Sequence, residues 1–168
     1  MTLNFKQLLK QIKLIALDID GVLTNGQLLV TPEGDLLRSM NIKDGYAMKK
    51  AVESGVKIFI ISGSNSKGVT QRLNGLGITE IHLGVADKKS LMLSLCDKYK
   101  ISTSEVLYMG DDIPDLEVMK SVRIACCPAD AVAEIKAVSV YQSLQKGGEG
   151  CVRDVIEQVL RIQGYWNQ

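Results

Sequence analysis

Several residue types and patterns that build common functional sites are scarce in this sequence. His82 is the only histidine, which excludes metal sites made of several histidines and argues against a Ser-His-Asp triad; we expect it at a strand end. The four cysteines show no Cys-x-x-Cys spacing, which argues against a zinc knuckle and a disulfide framework. We therefore expect the thiols to be reduced.

Charge and hydropathy exclude further classes of protein. Lys and Arg total 20 against 19 for Asp and Glu, and the basic residues are scattered along the sequence. The sequence therefore lacks the clustered positive charge that is typical of a nucleic-acid-binding protein. No apolar run approaches the roughly 20 residues of a membrane span, and residues 1–6 lack the ordered regions of a signal peptide. We expect a cytoplasmic protein with no nucleic-acid and no membrane partner.

Short apolar runs alternate with helical patterns along a chain whose 168 residues suit one domain, 1–168. The apolar runs predict strands over residues 14–17, 57–61, 80–83, 106–109, 122–125 and 138–141. The helical patterns cover residues 44–54, 67–76, 88–99, 114–120, 131–136 and 151–162. This alternation predicts right-handed βαβ units and an α/β fold, a Rossmann-like, doubly wound parallel sheet covered on both faces.

One segment after the first predicted strand departs from the alternation. Apolar stretches at residues 28–30 and 36–40 flank the turn-forming residues 31–35, a pattern typical of a β-hairpin. We predict a hairpin insertion over about residues 24–40, close to the end of the first strand. A hairpin with so little core is marginally stable alone, so we expect it to pack against another surface, such as a neighbouring subunit.

The first predicted strand runs directly into two carboxylates, Asp18 and Asp20. Since side chains alternate along a strand, both leave the backbone on the same side, and Gly21 permits a sharp turn. Two like charges at one strand end are costly, and a divalent metal ion, a shared proton or a hydrogen bond to a substrate offsets the repulsion. The alternative is that one carboxylate caps the next helix and the other is solvated.

Three more polar clusters follow predicted strands, and ligands of parallel sheets bind beyond the carboxyl ends of strands. Ser62 and Gly63 offer a hydroxyl and a backbone amide to a phosphate oxygen, or else form an ordinary helix N-cap. Lys88 opens a helix, where its ammonium would neutralise a phosphoryl group, unless it is simply solvated. Residues 110–115, Gly-Asp-Asp-Ile-Pro-Asp, again deliver carboxylates from an apolar strand into a turn.

These residues suit phosphoryl transfer with magnesium. Mg²⁺ takes one or two protein carboxylates, for which Asp18 and Asp111 are the obvious pair. Asp18 would attack phosphorus to form an aspartyl-phosphate, while Lys88 and Ser62 hold the equatorial oxygens. Asp20 would protonate the leaving alcohol oxygen and later activate water, with its pKa raised by the neighbouring negative charge.

The four clusters together resemble, in order, the four motifs of the haloacid dehalogenase-like hydrolases. The matching segments are Asp18-Ile-Asp20-Gly21-Val22, Ser62-Gly63, Lys88 and Gly110-Asp111-Asp112-x-x-Asp115. The resemblance implies that Asp18 is the nucleophile and Asp20 the acid/base. It also implies magnesium ligands from Asp18, Asp111 and the main-chain carbonyl of Asp20, with Asp112 and Asp115 as supporting residues.

Nearly the whole chain is similar to a cap-less group in this superfamily, the phosphatases of 3-deoxy-D-manno-octulosonate 8-phosphate. The similarity includes residues 41–46 and the glycine-rich segment 147–153. It implies a Mg²⁺ cofactor, a phosphorylated sugar-acid substrate and a place in lipopolysaccharide precursor synthesis. It further implies a homotetramer in which the hairpin and C-terminal tail of one subunit help to close another's site. The substrate-binding candidates are Gly63, Asn41, Asp44, Lys67, Arg72, Gly148 and Arg153.

Ser64 is a departure from this group, because many members have an arginine there. Lys67, Arg72, or Arg153 from another subunit would substitute for the missing guanidinium. The related phosphatases of the nine-carbon 2-keto-3-deoxynononate 9-phosphate carry an acidic residue near that position and also show a Gly-Gly-Glu-Gly loop. They usually lack the Asp-Gly-Tyr of residues 44–46, which favours the eight-carbon substrate.

Two non-enzymatic functions are alternatives. A phospho-accepting receiver domain also uses strand-end carboxylates, magnesium, a hydroxyl and a lysine. Its acidic pair lies elsewhere, however, and it has no use for a proton donor such as Asp20. A catalytically weak assembly module is the second alternative, although this chain keeps every catalytic position of the family.

Overall fold

A six-stranded parallel sheet forms the centre of the molecule in a computed structural model that describes residues 5–166. In the described part of the chain there are eight strands, six in this sheet and two in a separate hairpin. They are β1 (Leu14–Leu17), β2 (Leu29–Val30), β3 (Leu36–Leu37), β4 (Lys57–Ile61), β5 (Glu80–His82), β6 (Val106–Met109), β7 (Ile124–Cys127) and β8 (Tyr141–Gln142). The sheet order is β5-β4-β1-β6-β7-β8, and β2 pairs with β3 separately. The predicted parallel α/β sheet is confirmed; six residues of the predicted domain, 1–4 and 167–168, lie outside the described part.

Helices cover both faces of this sheet. They are α1 (Phe5–Leu9), α2 (Ile42–Glu53), α3 (Lys67–Asn74), α4 (Lys88–Tyr99), α5 (Leu116–Ser121), α6 (Ala133–Val138) and α7 (Cys151–Ile162). Helices α1, α2, α3 and α7 pack on one face, and α4, α5 and α6 on the other. Within residues 5–166, none of them combines the length and apolar character needed to cross a bilayer.

Strand β1 shows why this arrangement follows from the sequence. Ile15 and Leu17 lie in one hydrophobic core, whereas Leu14 and Ala16 lie in the other, and all four are fully buried. A strand that is covered on both faces needs apolar residues at every position instead of alternating ones. Burying each large side chain contributes roughly 1.5–3 kcal/mol, so the two cores stabilise the sheet from both sides.

Several predicted boundaries are wrong by about two residues. Strand β7 begins at Ile124 instead of residue 122, and residue 138, predicted to begin the last strand, ends α6. The helix predicted from residue 114 divides into a short 3₁₀ turn, Ile113–Asp115, and α5. Helix α1 was not predicted. Apolar periodicity identifies an element but does not determine which residues at its ends make the hydrogen bonds.

The predicted hairpin is present, with strands shorter than predicted. Strands β2 and β3 are antiparallel, with Leu29 opposite Leu37 and Val30 opposite Leu36. Between residues 28 and 37, the large apolar side chains are all at least 45% exposed: Leu28, Leu29, Val30, Leu36 and Leu37. Such a concentration of exposed apolar residues is typical of a surface that another molecule covers.

The central position of β1 places the candidate site. Its neighbours are β4 on one side and β6 on the other, and all three run in parallel. Their carboxyl ends therefore lie side by side at one edge of the sheet. The residues that follow them, Asp18, Ser62 and Gly110, start the three loops of that edge.

Candidate active site

Asp18 follows the last residue of β1 and opens a tight turn. The residue is 7% exposed, and its Oδ1 accepts a hydrogen bond from the backbone N–H of Ile19 at 2.7 Å. The turn, Ile19–Leu23, contains Gly21 with φ of +88°, a conformation that other residues adopt only with strain. A Cβ on Gly21 would lie 1.9 Å from Oδ2 of Asp111, so the turn and that carboxylate are in direct contact.

Three carboxylates converge beneath this turn. Asp18, Asp111 and Asp115 each offer an oxygen, and these oxygens lie within 4.8 Å of one another. Within residues 5–166, Oδ1 of Asp111 is buried and has no hydrogen-bond partner. Burial, followed by the charges of Asp115 and Asp18, raises the pKa of Asp111 to about 8. An orphaned carboxylate oxygen among other hard oxygens fits a small divalent cation such as Mg²⁺.

Lys88, the first residue of α4, provides positive charge to the same cluster. Its Nζ lies 2.9 Å from Oδ2 of Asp18 and 2.8 Å from Oδ1 of Asp115, and the residue is 5% exposed. Burial alone would lower the pKa of Lys88, but the two carboxylates outweigh burial and raise it, so the ammonium stays charged.

The cluster still has an excess of negative charge. Burial and the charge of Asp115 raise the pKa of Asp18 to about 6, although Lys88 opposes this rise. With three carboxylates against one ammonium, a divalent cation would balance the remaining charge.

Asp115 is held in place by a residue that the sequence analysis missed. The hydroxyl of Tyr108, in β6, donates to Oδ1 of Asp115 at 2.8 Å, and the backbone N–H of Asp111 donates to Oδ2 at 3.1 Å. Burial raises the pKa of Tyr108 well above its ordinary value, so the phenol remains a donor. Nothing in the pattern distinguishes Tyr108 from the apolar residues around it in the strand.

Asp20 lies on the open side of the turn and is paired with an arginine of the hairpin. Nε and Nη2 of Arg38 lie 2.6 Å and 3.0 Å from the two carboxylate oxygens of Asp20. Partial burial favours a raised pKa for Asp20, but hydrogen bonds from Arg38 and Ser64 outweigh it and lower that pKa below its ordinary value. The predicted upward shift is therefore wrong, because the sequence analysis did not include Arg38.

Ser62 lies at the end of β4, next to the turn. The residue is 2% exposed, and its Oγ lies 3.2 Å from Oγ of Ser64 and accepts a hydrogen bond from the Ser64 N–H at 3.3 Å. Gly63 is exposed, which leaves its surroundings open to a ligand. Ser64 therefore lies between the two residues: its Oγ is 3.2 Å from that of Ser62, and its hydroxyl helps to lower the pKa of Asp20.

The glycine-rich loop before α7 packs on the back of the turn. The N–H of Gly148 donates to the carbonyl of Val22 at 3.0 Å, and Nδ2 of Asn41 donates to the carbonyl of Gly148 at 3.2 Å. A Cβ on Gly147 would lie 2.0 Å from the carbonyl oxygen of Gly21. The glycines are needed here because backbone meets backbone.

Asp44 fixes this loop from inside the molecule. It is 1% exposed, and its Oδ1 accepts a hydrogen bond from the Arg153 N–H at 2.7 Å, which caps α7. Burial raises the pKa of Asp44 to about 6. In this arrangement Asp44 is out of reach of a ligand, so the predicted role in substrate binding would be indirect.

The three basic candidates that would replace the missing arginine lie apart from the carboxylates. Lys67 is exposed at the start of α3. A guanidinium nitrogen of Arg72 lies 2.5 Å from where a Cβ on Gly45 would be, against α2. Nε of Arg153 lies 3.1 Å from Glu157. Within the described part of the chain, no hydrogen bond or ion pair joins these three side chains to the carboxylate cluster.

Known proteins are similar to this chain in sequence and in fold. A family model described as haloacid dehalogenase-like hydrolase matches residues 77–153. KdsC of Escherichia coli (strain K12), a 3-deoxy-D-manno-octulosonate 8-phosphate phosphatase, is 35% identical over 155 residues, which cover 92% of this chain and 82% of the relative. The chain belongs to this phosphatase family. The predicted membership of the haloacid dehalogenase-like superfamily is thereby confirmed.

Two solved structures of the family superpose closely. The enzyme from Moraxella catarrhalis, in complex with a magnesium ion, a phosphate ion and a KDO molecule, has a TM-score of 0.92 at 34% identity. The alignment covers 95% of this chain and 91% of that one. The cobalt-bound enzyme from Haemophilus influenzae has a TM-score of 0.90 at 29% identity and covers 94% and 92% of the two chains.

Proposed function

We propose that this chain is a Mg²⁺-dependent phosphatase that hydrolyses 3-deoxy-D-manno-octulosonate 8-phosphate to the free sugar acid and phosphate. The observation that carries the proposal is the convergence of Asp18, Asp111 and Asp115 around Lys88 at the carboxyl edge of the sheet. The 35% identity with KdsC of E. coli and the fold shared with the M. catarrhalis enzyme support the same substrate. The product would enter lipopolysaccharide precursor synthesis.

Asp18 acts as the nucleophile and Asp20 as the acid/base. A carboxylate oxygen of Asp18 forms a bond to phosphorus as the bond from phosphorus to the sugar oxygen breaks, and Asp20 gives that oxygen its proton. Water then attacks the aspartyl-phosphate, Asp20 takes the proton from water, and Asp18 is released with phosphate. Lys88 and Ser62 hold the phosphoryl oxygens during both steps.

The metal would be held by the carboxylates of Asp18 and Asp111, including the unpartnered oxygen of Asp111, and by the main-chain carbonyl of Asp20. Asp115 would keep Lys88 in place beside them. When bound, Mg²⁺ supplies positive charge that stabilises the phosphoryl oxygens in the transition state. Asp112, exposed and capping the Ile113 N–H, supports this loop from outside.

Recognition of the sugar acid is assigned to the rim of the site. Gly63 is exposed and offers its backbone amide, and Gly148 lies against the turn, where Asn41 holds it. Asp44 acts through the loop that it caps. Lys67, Arg72 and Arg153 are the cations available for the substrate carboxylate, with Arg153 contributed by another subunit.

The proposal includes a homotetramer in the cytoplasm. The exposed apolar side chains of the hairpin, Leu28 to Val30 and Leu36 to Leu37, support an assembly that covers them. Free and buried Cys96, Cys126, Cys127 and Cys151 agree with a reducing compartment.

The test is phosphate release from eight-carbon and nine-carbon sugar-acid phosphates, with and without Mg²⁺. We expect the eight-carbon ester to have the higher kcat/KM and chelation of Mg²⁺ to stop turnover.

Asp18→Asn should abolish turnover while circular dichroism shows an intact fold, and undiminished activity would refute Asp18 as the nucleophile. Ser62→Ala should cost less, about 10- to 1000-fold, because one phosphate donor is lost.

The nine-carbon ester is the second candidate, because Ser64 leaves this chain without the arginine that many eight-carbon enzymes have there. A higher kcat/KM for the nine-carbon ester would establish that alternative. A long-lived aspartyl-phosphate without turnover would instead indicate a receiver domain. Failure to hydrolyse any sugar phosphate, despite stable assembly, would indicate an assembly module.

A further inference from the structure

Arg38 connects the hairpin to the turn that carries the acid/base residue. Nε of its guanidinium donates to Oδ1 of Asp20 at 2.6 Å, and Nη2 donates to Oδ2 at 3.0 Å. Nη1 donates to the main-chain carbonyl of Leu36, within the hairpin, at 3.0 Å. The Arg38 side chain is 3% exposed, although it comes from a segment whose other side chains largely face solvent. Arg38 is thus fixed at both ends.

The Asp20 carboxylate depends on such a partner for its orientation. It lies in a turn and is 34% exposed, so packing around it is incomplete. Two parallel N–H bonds from one planar guanidinium fix both the position and the plane of a carboxylate, which a single bond does not. Arg38 and Ser64 do not use all of the acceptor sites of the Asp20 carboxylate, which leaves a site for the proton that is transferred.

We propose that Arg38 is a positioning residue, through which the hairpin sets the orientation of Asp20 for proton transfer. Proton transfer requires the donor and acceptor atoms to lie within about 2.6–3.2 Å, and small displacements of a catalytic group reduce rates strongly. Loss of Arg38 therefore slows the steps in which Asp20 transfers a proton, but not the attack of Asp18 on an ester whose leaving group needs no proton. This inference rests on the proposed function only in that it needs phosphate-ester turnover.

The leaving group distinguishes a positioning role from a structural one. An alkoxide from a sugar phosphate is strongly basic and needs a proton as it departs. The p-nitrophenolate ion is weakly basic and departs without one. Removal of Arg38 should therefore slow the departure of a sugar alcohol much more than the departure of p-nitrophenolate.

The experiment compares wild type, Arg38→Ala and Arg38→Lys under single-turnover conditions with saturating Mg²⁺. The two substrates are 3-deoxy-D-manno-octulosonate 8-phosphate and p-nitrophenyl phosphate. For Arg38→Ala we expect the sugar-ester rate to fall by about 10- to 100-fold, within the range of acid/base contributions, and the p-nitrophenol release to change less than about threefold. Arg38→Lys keeps one charged donor and should recover part of the loss. In separate steady-state assays, KM for the sugar ester should change less than kcat.

Matched variants keep the test decisive. Arg123→Ala removes an exposed arginine just before β7, at the opposite edge of the sheet, and should behave as wild type. Arg38→Gln keeps planar donors without charge and replaces the alanine variant if melting shows that Arg38→Ala is unfolded. Equal losses on both esters, no loss, or a faster sugar-ester step would each overturn the inference. A wild-type protein that turns over neither ester would overturn the proposed function instead.

Discussion

Asp111 links the electrostatics of the site to the stability of the whole fold. Its pKa is about 8 in the folded protein, whereas an unfolded aspartate has a pKa of ~3.9. A carboxyl group whose pKa is raised by folding stabilises the folded protein fully at pH values below its pKa in the unfolded chain. This stabilisation is lost as the pH rises through its pKa in the folded protein. Metal-free protein should therefore melt at a lower temperature at about pH 9 than at about pH 6, and Mg²⁺ should raise the melting temperature most at the higher pH.

Calorimetry on two variants would check this pH dependence. Asp111→Asn removes the titrating group and should reduce the loss of melting temperature between about pH 6 and about pH 9. Asp97→Asn changes an aspartate whose side chain is 86% exposed, on α4, and should leave the wild-type dependence unchanged. Identical curves for Asp111→Asn and wild type would contradict the assignment of this titration to Asp111.

Tyr108 supports the site from within the core. Tyr108→Phe removes the donor to Asp115 and leaves a buried carboxylate oxygen with Lys88 as its remaining partner. We expect a loss of about 1–3 kcal/mol in the free energy of unfolding, measured by urea denaturation. Tyr165→Phe, at an exposed tyrosine, is the matched control and should be neutral. Equal stability of Tyr108→Phe and wild type would mean that this hydrogen bond contributes nothing.

At the scale of elements, the site depends on a contact between two loops that are distant in sequence. The turn after β1 and the glycine-rich loop before α7 meet backbone to backbone, and Asp44 in α2 caps the helix that follows. Because three elements meet there, a change in the loop should affect the geometry of Asp20 and also the stability of the fold.

Gly147→Ala tests that contact. The added Cβ would lie 2.0 Å from the carbonyl oxygen of Gly21, so the loop must move away from the turn. We expect a lower melting temperature and at least about a tenfold lower kcat, since displaced catalytic groups lose rate steeply. Gly68→Ala, in α3, meets no atom within 4 Å and should be neutral or stabilising by up to about 1 kcal/mol. Wild-type behaviour of Gly147→Ala would show that the contact is dispensable.

At the scale of the whole molecule, the hairpin carries a cluster of apolar side chains that the single chain leaves exposed. Leu29 is 67% exposed and Val30 63% exposed, in a two-stranded sheet that lies outside the main sheet. A two-stranded hairpin of this size is marginally stable alone, so a covering subunit would also stabilise the orientation of Arg38.

Leu29→Lys should therefore weaken assembly. A charged side chain in a buried apolar contact costs free energy, so light scattering at micromolar concentration should show a shift from tetramer to smaller species. Leu93→Lys, at a leucine that is 42% exposed on α4, is the control and should leave the mass unchanged. A monomeric wild type, or an unchanged tetramer in Leu29→Lys, would contradict the proposed assembly.

Much of the fold could be predicted because short apolar runs are a strong signal. The bounds of β1, β4, β6, α4 and α7 follow from unbroken apolar runs or clear helical periodicity, and the structure matches them. Weaker patterns failed at the ends of β7, β8 and α6, where loop geometry decides which residues pair. Helix α1 was missed because five residues are too few for periodicity to emerge.

The sequence by itself determined the βαβ architecture and the residue types at the strand ends, since burial on both faces of a parallel sheet requires apolar runs and phosphoryl chemistry requires carboxylates, a hydroxyl and a lysine. Only the tertiary structure decided that Tyr108 holds Asp115, that Arg38 holds Asp20 and that Asp44 is buried under α7. These pairings join residues whose partners depend on how loops and strands pack in space, and no local pattern records that packing.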